Sequence, residues 1–201
     1  MRKLTGSIRK IIQNNWGSIF ISIIFVLVYV INEVIGHNVV FHALSGSGFK
    51  KLNGEVYRII TASFLHTNLL HLVANIIALI SVCCYLERIL GSGKMLMTYI
   101  SADLIASMFF YGYMNECTGG NGSSIAIYAL FAVLFVLWLR YPDEISIKWY
   151  HPALIYMVLY FFIASLITGS YMTIIIHAFS FLVGLLVGFI MIMNRKKNQV
   201  K

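Results

Sequence analysis

GGNGSSIAIY, residues 119–128, carries a flexible glycine-rich turn directly into an apolar segment with helical character. Glycines allow the backbone to turn tightly and to approach a ligand closely. The first turn of a helix leaves N–H groups unpaired and carries partial positive charge. Ser124 at this junction is therefore placed to attack a carbonyl while nearby N–H groups bind the resulting oxyanion. The alternative interpretation is a serine that only caps the helix.

The composition around this stretch is that of a protein embedded in a bilayer. Of 201 residues, 60% are hydrophobic and 11% are charged, whereas soluble domains are about 45–50% apolar and about 25% charged. The sequence predicts a polytopic membrane protein without a separate soluble domain. Cys83, Cys84 and Cys117 offer neither a disulfide framework nor metal-ligand spacing.

Six apolar segments reach or approach the roughly 20 residues that cross a bilayer. We place them at residues 16–36, 63–86, 95–113, 124–139, 152–168 and 172–193. An all-α membrane domain of six transmembrane helices is thus predicted over residues 16–193. Residues 1–15 lack a signal cleavage site and are expected to remain as a cytoplasmic tail, and residues 194–201 form a second, basic tail. The connection at 37–60 is predicted to be an interfacial loop or short surface helix.

The distribution of Lys and Arg predicts the orientation of the bundle. If the N-terminus is inside, twelve of the 15 basic residues lie on inner segments. The outer segments hold only Lys50, Lys51 and Arg58. Both termini are therefore expected to be cytoplasmic, and the net charge of +8 requires no nucleic-acid partner.

Polar side chains from three segments then fall at similar depth near the outer face. His71 and Asn75 share one face of the second segment because they are four residues apart. Ser124 begins the fourth segment and His177 lies in the outer part of the sixth. Polar groups inside a membrane usually face a bundle interior or a wet cavity, so this convergence predicts a site. Each residue also fits a simpler role as a hydrogen bond that packs two helices together.

The chemistry that these groups allow is nucleophilic catalysis, because imidazole is a base with a pKa near neutral pH. His177 is the better base, since Ser180, Gly184 and Gly188 follow it and small residues let membrane helices approach closely. No intramembrane carboxylate is well placed to orient His177, so a dyad is predicted. Asp103 is the one candidate, and its depth favours a hydrogen bond inside the bundle.

Two further residues accompany this predicted dyad. His66 lies off the face of His71 and is expected to support the neighbouring loop. Tyr128 follows Ser124 by one helical turn, and it is either an ordinary packed aromatic or a ring that fixes an imidazole.

In order and spacing, these residues resemble the rhomboid family of intramembrane serine proteases. Residues 66–75 match its H-x4-H-x3-N pattern, and residues 122–124 with Tyr128 match its nucleophile motif. EVYR at 55–58 resembles the tryptophan–arginine motif of the first outer loop, and GSGK at 91–94 resembles the cytoplasmic turn. His177 with its small-residue seam resembles the histidine helix.

The resemblance implies a six-helix bundle whose wet cavity opens outward. It implies that Ser124 is the nucleophile and that His177 is the general base and later the general acid. His71, Asn75 and the backbone N–H groups of Ser123 and Ser124 would form the oxyanion hole. Tyr128 would pack on His177. Supporting roles are implied for Gly122, His66, Arg58, Ser180 and Gly184.

The resemblance also implies the substrate, a transmembrane helix of another protein that unwinds locally near the outer face. It implies no metal and no organic cofactor. The partners are then transmembrane proteins and the lipid bilayer, while the oligomeric state and the physiological substrate are not indicated by the sequence. The minimal six-helix form and the short tails favour a bacterial plasma membrane, with an organelle membrane as the alternative.

Three positions depart from the family pattern. Tyr57 replaces the usual tryptophan, Ser180 replaces a common glycine, and Ile125 follows Ser124 where glycine is most common. A β-branched residue does not adopt a left-handed backbone readily. The site therefore requires helical geometry from Ser124 onward, and Ile125 bears most directly on activity.

Three functions compete on the sequence. The first is an active intramembrane serine endopeptidase, and the second is a catalytically inactive relative that binds transmembrane helices. The presence of both Ser124 and His177 argues against the second. The third is a small channel or transporter, which would predict broken helices paired across an internal repeat; the sequence shows no such repeat.

Overall fold

A computed structural model describes residues 15–143, 145, 154–156, 158–160 and 171–199, with the side chains of residues 38 and 195–199 left out. In these ranges the α-helices are α1 (Trp16–Ile35), α2 (His37–Leu44), α3 (Arg58–Thr61), α4 (Leu69–Leu90), α5 (Ser92–Tyr113), α6 (Ser124–Arg140) and α7 (Tyr171–Gln199). Two short strands are β1 (Gly46–Ser47) and β2 (Thr118–Gly120). Two 3₁₀ turns lie at Phe49–Lys51 and Ala62–Phe64.

Four of these helices are long and apolar enough to cross a bilayer, namely α1, α4, α5 and the part of α7 at Tyr171–Asn194. The apolar helix α6 is shorter, at 17 residues. The chain is therefore a multi-pass helical membrane protein. The predicted fifth helix, 152–168, lies mostly outside the described residues, where only 154–156 and 158–160 are seen as helix. Residues 1–14 of the predicted tail also lie outside them. The count of six spans and the orientation stay predictions.

The second predicted helix begins later than its apolar pattern indicates. Residues 62–64 form a 3₁₀ turn, and Leu65 is extended and fully buried. The side chain of Asn68 accepts a hydrogen bond from the His71 backbone N–H at 2.8 Å, which is an N-cap. The predicted start at residue 63 is therefore too early, because the apolar residues Phe64 and Leu65 belong to a turn and an extended residue, and α4 starts at Leu69.

Other helix ends also differ from the sequence-based bounds. The fourth expected helix ends one residue later, at Arg140. The last helix begins at Tyr171 and continues to Gln199, so residues 194–199 extend the helix and do not form a separate tail. The turn between α4 and α5 is short because Gly91 has φ +78°, a backbone conformation that glycine adopts without strain.

Helix α6 lies at the centre of the bundle. Residues 126–130 are all 0% exposed, as expected for a helix that is apolar on all sides. Helix α7 packs directly along it. Gly184 lies against the backbone of Ala129, and Gly188 lies against the side chain of Val136. Small residues at such a contact let two membrane helices approach closely.

The long connection between α1 and α4 is ordered and is joined to the turn before α6. Strand β1 pairs with β2 in antiparallel register, with Gly46 opposite Gly120. The hydroxyl end of Tyr111 fills the space beside both glycines, where a Cβ would collide with it. Arg58 Nε donates to the Ser45 carbonyl at 2.7 Å. The connection therefore holds the turn that precedes Ser124 in place.

Candidate active site

Ser124 is the first residue of α6, and the preceding turn fixes its position. Gly122 has φ +91°, in the left-handed region that favours glycine. Its N–H donates to the Ala62 carbonyl at 2.9 Å. A Cβ on Gly122 would lie 2.7 Å from His71 Nε2, so only a glycine lets this imidazole approach the turn.

His177 lies in α7 with its ring turned toward α6. Its Nε2 is 2.9 Å from Ser124 Oγ, and this hydrogen bond is buried. The small residues that follow His177 explain why the two helices come so close. Ser180 is fully buried and donates to the Ile176 carbonyl at 2.6 Å, while Gly184 packs against the α6 backbone. Ser180 and Gly184 therefore act on the spacing of the helices and do not enter the dyad.

The other side of the His177 ring is covered by an aromatic ring. Tyr128 stacks on it with ring centroids 4.1 Å apart and an interplanar angle of 28°. His177 Nδ1 has no hydrogen-bond partner within the described residues. The imidazole is thus hydrogen-bonded to Ser124 through one nitrogen and stacked on Tyr128 through its face, and no carboxylate among the described residues binds its other nitrogen.

Two nitrogen-bearing side chains of α4 face the same turn. Asn75 Nδ2 donates to the His71 carbonyl at 2.9 Å, and it lies 3.8 Å from the place where a Gly122 Cβ would be. The His71 imidazole lies closer still to that place. Both side chains are therefore next to the backbone that leads into Ser124.

Two cavities meet at the dyad. One, of about 390 Å³, is lined by His71, Asn121, Tyr160 and the dyad among others. The second, of about 340 Å³, lies toward β2 and α5, and Ser124 and His177 also line it. Ser124 and His177 therefore border open space on two sides.

His66 is fully buried under the site. Its ring lies 4.8 Å from the Phe25 ring and 5.1 Å from the His71 ring, centroid to centroid. Burial lowers the pKa of His66 to about 3, with a smaller contribution from the charge of a protonated His71. His66 is therefore neutral at ordinary pH and packs beneath His71.

Asp103 and Arg58 are near the site without touching the dyad. Ser63 Oγ donates to Asp103 Oδ2 at 2.6 Å, and this pair is buried. Ala62, next to Ser63, accepts a hydrogen bond from the Gly122 N–H, so the pair anchors the 3₁₀ turn to which the residues before Ser124 are bonded. Arg58 also binds Glu55 and the hydroxyls of Ser45 and Ser47, so its contacts belong to the connection between α1 and α4.

Ile125, the residue that departs most from the expected pattern, lies inside α6. Among described residues other than glycine, the one with positive φ is Asn53, so Ile125 adopts the helical backbone that the sequence analysis required. Its side chain lines the second cavity. The β-branched side chain is therefore compatible with the geometry at Ser124.

Two tyrosines that the sequence analysis did not single out lie against the site. Tyr160 donates its hydroxyl to Asn75 Oδ1 at 2.9 Å, and Tyr156 donates to the Ala74 carbonyl at 3.0 Å. Their spacing of four places both on one helical face. That spacing was the available signal, but tyrosines are also frequent as ordinary packed residues in an apolar segment.

The arrangement can perform acyl transfer. It combines a hydroxyl, a base hydrogen-bonded to it, and N–H donors beside the reacting position, which are the parts that such chemistry needs. Among the described residues, no three His, Cys, Asp or Glu side chains come together as metal ligands would.

Comparison with known proteins identifies the relatives of this chain. The family model described as "Rhomboid domain" matches residues 53–194, which is more than half of the chain. The protein YdcA of Bacillus subtilis (strain 168) is 26% identical over 163 residues, which cover 80% of this chain and 81% of YdcA.

Two further relatives differ in what their names state. "Rhomboid protease GlpG" of Salmonella paratyphi A is 29% identical over 178 residues, covering 86% of this chain and 62% of that protein. "Inactive RHOMBOID-like protein 8" of Arabidopsis thaliana is 30% identical over 108 residues, covering 51% of this chain and 31% of that protein. The chain thus spans less than two thirds of either relative.

Proposed function

Because this chain belongs to the rhomboid family, we propose that it is an intramembrane serine endopeptidase that cuts transmembrane helices of other proteins. The observation that carries the proposal is the buried hydrogen bond of 2.9 Å between Ser124 Oγ and His177 Nε2. This pair lies inside an apolar bundle, yet it opens onto two cavities. A relative named a rhomboid protease covers most of the chain.

The first half of the reaction forms an acyl-enzyme. Ser124 Oγ attacks the carbonyl carbon of the substrate while His177 Nε2 takes the hydroxyl proton. The oxyanion of the tetrahedral intermediate binds to the His71 imidazole, to Asn75 Nδ2 and to the backbone N–H groups of Ser123 and Ser124. The carbon–nitrogen bond then breaks, and His177 gives its proton to the leaving amine.

The second half releases the acyl group. A water molecule from the cavity beside the dyad loses a proton to His177 and attacks the acyl carbon. The carbon–oxygen bond to Ser124 breaks, and His177 returns the proton to Ser124 Oγ. Tyr128 keeps the imidazole in one orientation throughout, because its ring lies 4.1 Å from that of His177.

The substrate must expose a peptide carbonyl to a buried serine. In a stable helix this carbonyl is shielded by the surrounding side chains and by its own hydrogen bond. A segment with small or helix-breaking residues unwinds more readily, which supports cleavage near one end of a transmembrane helix. With both termini cytoplasmic, the site would open to the outer side of a bacterial plasma membrane.

A fluorophosphonate probe on the detergent-solubilised protein tests this function. Wild-type protein is expected to become labelled at Ser124. Labelling should vanish in Ser124→Ala and fall sharply in His177→Ala, while thermal unfolding reports that both variants are folded. Correctly folded wild-type protein that does not react would refute the proposal.

A second candidate function is a catalytically inactive rhomboid-like protein that binds transmembrane helices. The relative named an inactive RHOMBOID-like protein favours it. Against it stand both Ser124 and His177, within hydrogen-bond distance of each other. The same labelling experiment separates the two functions. A channel or transporter gains no support from the described part of the chain.

A further inference from the structure

Tyr160 lines the cavity of about 390 Å³, and its hydroxyl binds the buried side chain of Asn75. Tyr160 Oη donates to Asn75 Oδ1 at 2.9 Å, and both residues are buried, with Asn75 at 0% exposure. We propose that Tyr160 is a positioning residue for the oxyanion hole, because its hydroxyl orients the Asn75 carboxamide with the N–H end toward Ser124. This inference rests on the function proposed above.

The two ends of the Asn75 carboxamide have different partners. Its Oδ1 accepts from Tyr160, and its Nδ2 donates to the His71 carbonyl at 2.9 Å. A carboxamide turned by 180° would place oxygen against that carbonyl, and two acceptors repel each other. The side of the carboxamide next to Gly122 therefore carries nitrogen, 3.8 Å from where a Cβ would be.

The ring of Tyr160 contacts a different residue from the one that its hydroxyl binds. It stacks against Tyr128 with centroids 5.8 Å apart and an interplanar angle of 24°. Tyr128 in turn stacks on His177 at 4.1 Å. Tyr160→Phe keeps this stack and removes only the hydrogen bond to Asn75. The substitution thus separates the orientation of the carboxamide from the packing of the base.

Tyr156 supplies a matched control in the same segment. It donates its hydroxyl to the Ala74 backbone carbonyl at 3.0 Å, and its ring stacks on Tyr160 at 6.0 Å. Tyr156→Phe removes one tyrosine hydroxyl and one hydrogen bond to α4, as Tyr160→Phe does. It leaves the Asn75 side chain untouched, so a general effect of weaker packing on α4 would appear in both variants.

The experiment measures fluorophosphonate labelling of the purified full-length protein at several probe concentrations. Attack by Ser124 on phosphorus leaves a phosphonyl oxygen in the oxyanion hole, so the maximal labelling rate depends on its donors. We expect Tyr160→Phe to lower this rate about 5- to 10-fold, as loss of one hydrogen bond would. The probe concentration for half-maximal rate should stay the same, and Tyr156→Phe should label at the wild-type rate.

The double variant distinguishes positioning from general packing. In an Asn75→Ala background, Tyr160→Phe should change the labelling rate by less than about twofold, because residues that act through one another are not additive. Thermal unfolding gives the folded fraction, and rates are expressed per folded protein.

Two results would overturn the inference while the protease stands. One is wild-type labelling of Tyr160→Phe, and the other is an undiminished effect of that substitution when Asn75 is already alanine. A wild-type protein that is folded and unlabelled would instead refute the proposed function, and the role of Tyr160 with it.

Discussion

Gly184 lies at the contact that sets the distance between Ser124 and His177, the proposed nucleophile and base. A Cβ placed on this glycine would lie 2.7 Å from the Ala129 Cα, whereas carbon atoms in contact are about 3.5–4.0 Å apart. Because the obstacle is backbone and not a flexible side chain, α6 and α7 must separate by about 1 Å to admit a methyl group. Gly184→Ala should therefore lengthen the distance between Ser124 and His177, although Gly184 lies two helical turns from His177.

The size of the effect follows from that displacement. Ser124 Oγ and His177 Nε2 are 2.9 Å apart, so a shift of about 1 Å would take them beyond the distance of a hydrogen bond. A misplacement of this size costs on the order of 10²-fold in rate. Overpacking of the helix contact should also lower the free energy of unfolding by about 1–3 kcal/mol.

The assay is the rate of fluorophosphonate labelling, measured beside thermal unfolding. Gly93→Ala in α5 is the control, since no described atom lies within 4 Å of a Cβ placed there. It should label much closer to the wild-type rate. Wild-type labelling and an unchanged unfolding temperature in Gly184→Ala would show that this contact does not position the dyad.

Further substitutions test the rest of the site. Asn75→Ala should lower the labelling rate by about 10²–10³-fold with little change in the unfolding temperature, because it removes one donor of the proposed oxyanion hole that His71 shares. Unchanged labelling rates in both His71→Ala and Asn75→Ala would remove these residues from the mechanism. Asp103→Leu should lower both the unfolding temperature and the labelling rate, because it leaves the buried Ser63 hydroxyl unpaired. Asp103→Asn should keep most of the stability and of the labelling rate. Equal losses in the two variants would contradict the role of this hydrogen bond. Burial lowers the pKa of His66 to about 3 from its ordinary value near 6.5. Between these two pH values, His66 binds a proton in the unfolded chain but not in the native state, so acid favours unfolding. The unfolding temperature should therefore fall as pH drops from about 6.5 toward 3, and His66→Phe should flatten this fall.

The two residues of the proposed dyad could be singled out from the sequence because polar groups are rare and costly in membrane-spanning segments. Ser124 and His177 are polar groups in apolar segments, and the small residues after His177 mark a close helix contact. These features are local in the chain. The distance of 2.9 Å between the two side chains depends on how α6 packs against α7, which no local sequence pattern encodes.

Other features could not be predicted because no periodic pattern encodes them. The apolar residues Phe64 and Leu65 look like the start of a helix, yet Phe64 ends a 3₁₀ turn and Leu65 is extended. Strand β1 has only two residues, too few for any alternation of side chains. Tyr160 is one tyrosine among 12, and its importance comes from a partner 85 positions earlier.

The pairing of β1 with β2 has a consequence for building chimaeras between relatives. Gly46 and Gly120 lie on opposite strands, and both contact the hydroxyl of Tyr111. Both strands therefore leave space for a side chain that comes from α5. A donor loop transplanted into the first connection alone would meet a turn shaped for another sequence. Residues 37–64 and 111–124 should therefore be exchanged as one unit, and hybrids that split them should lose the serine's alignment even where every transmembrane helix is native.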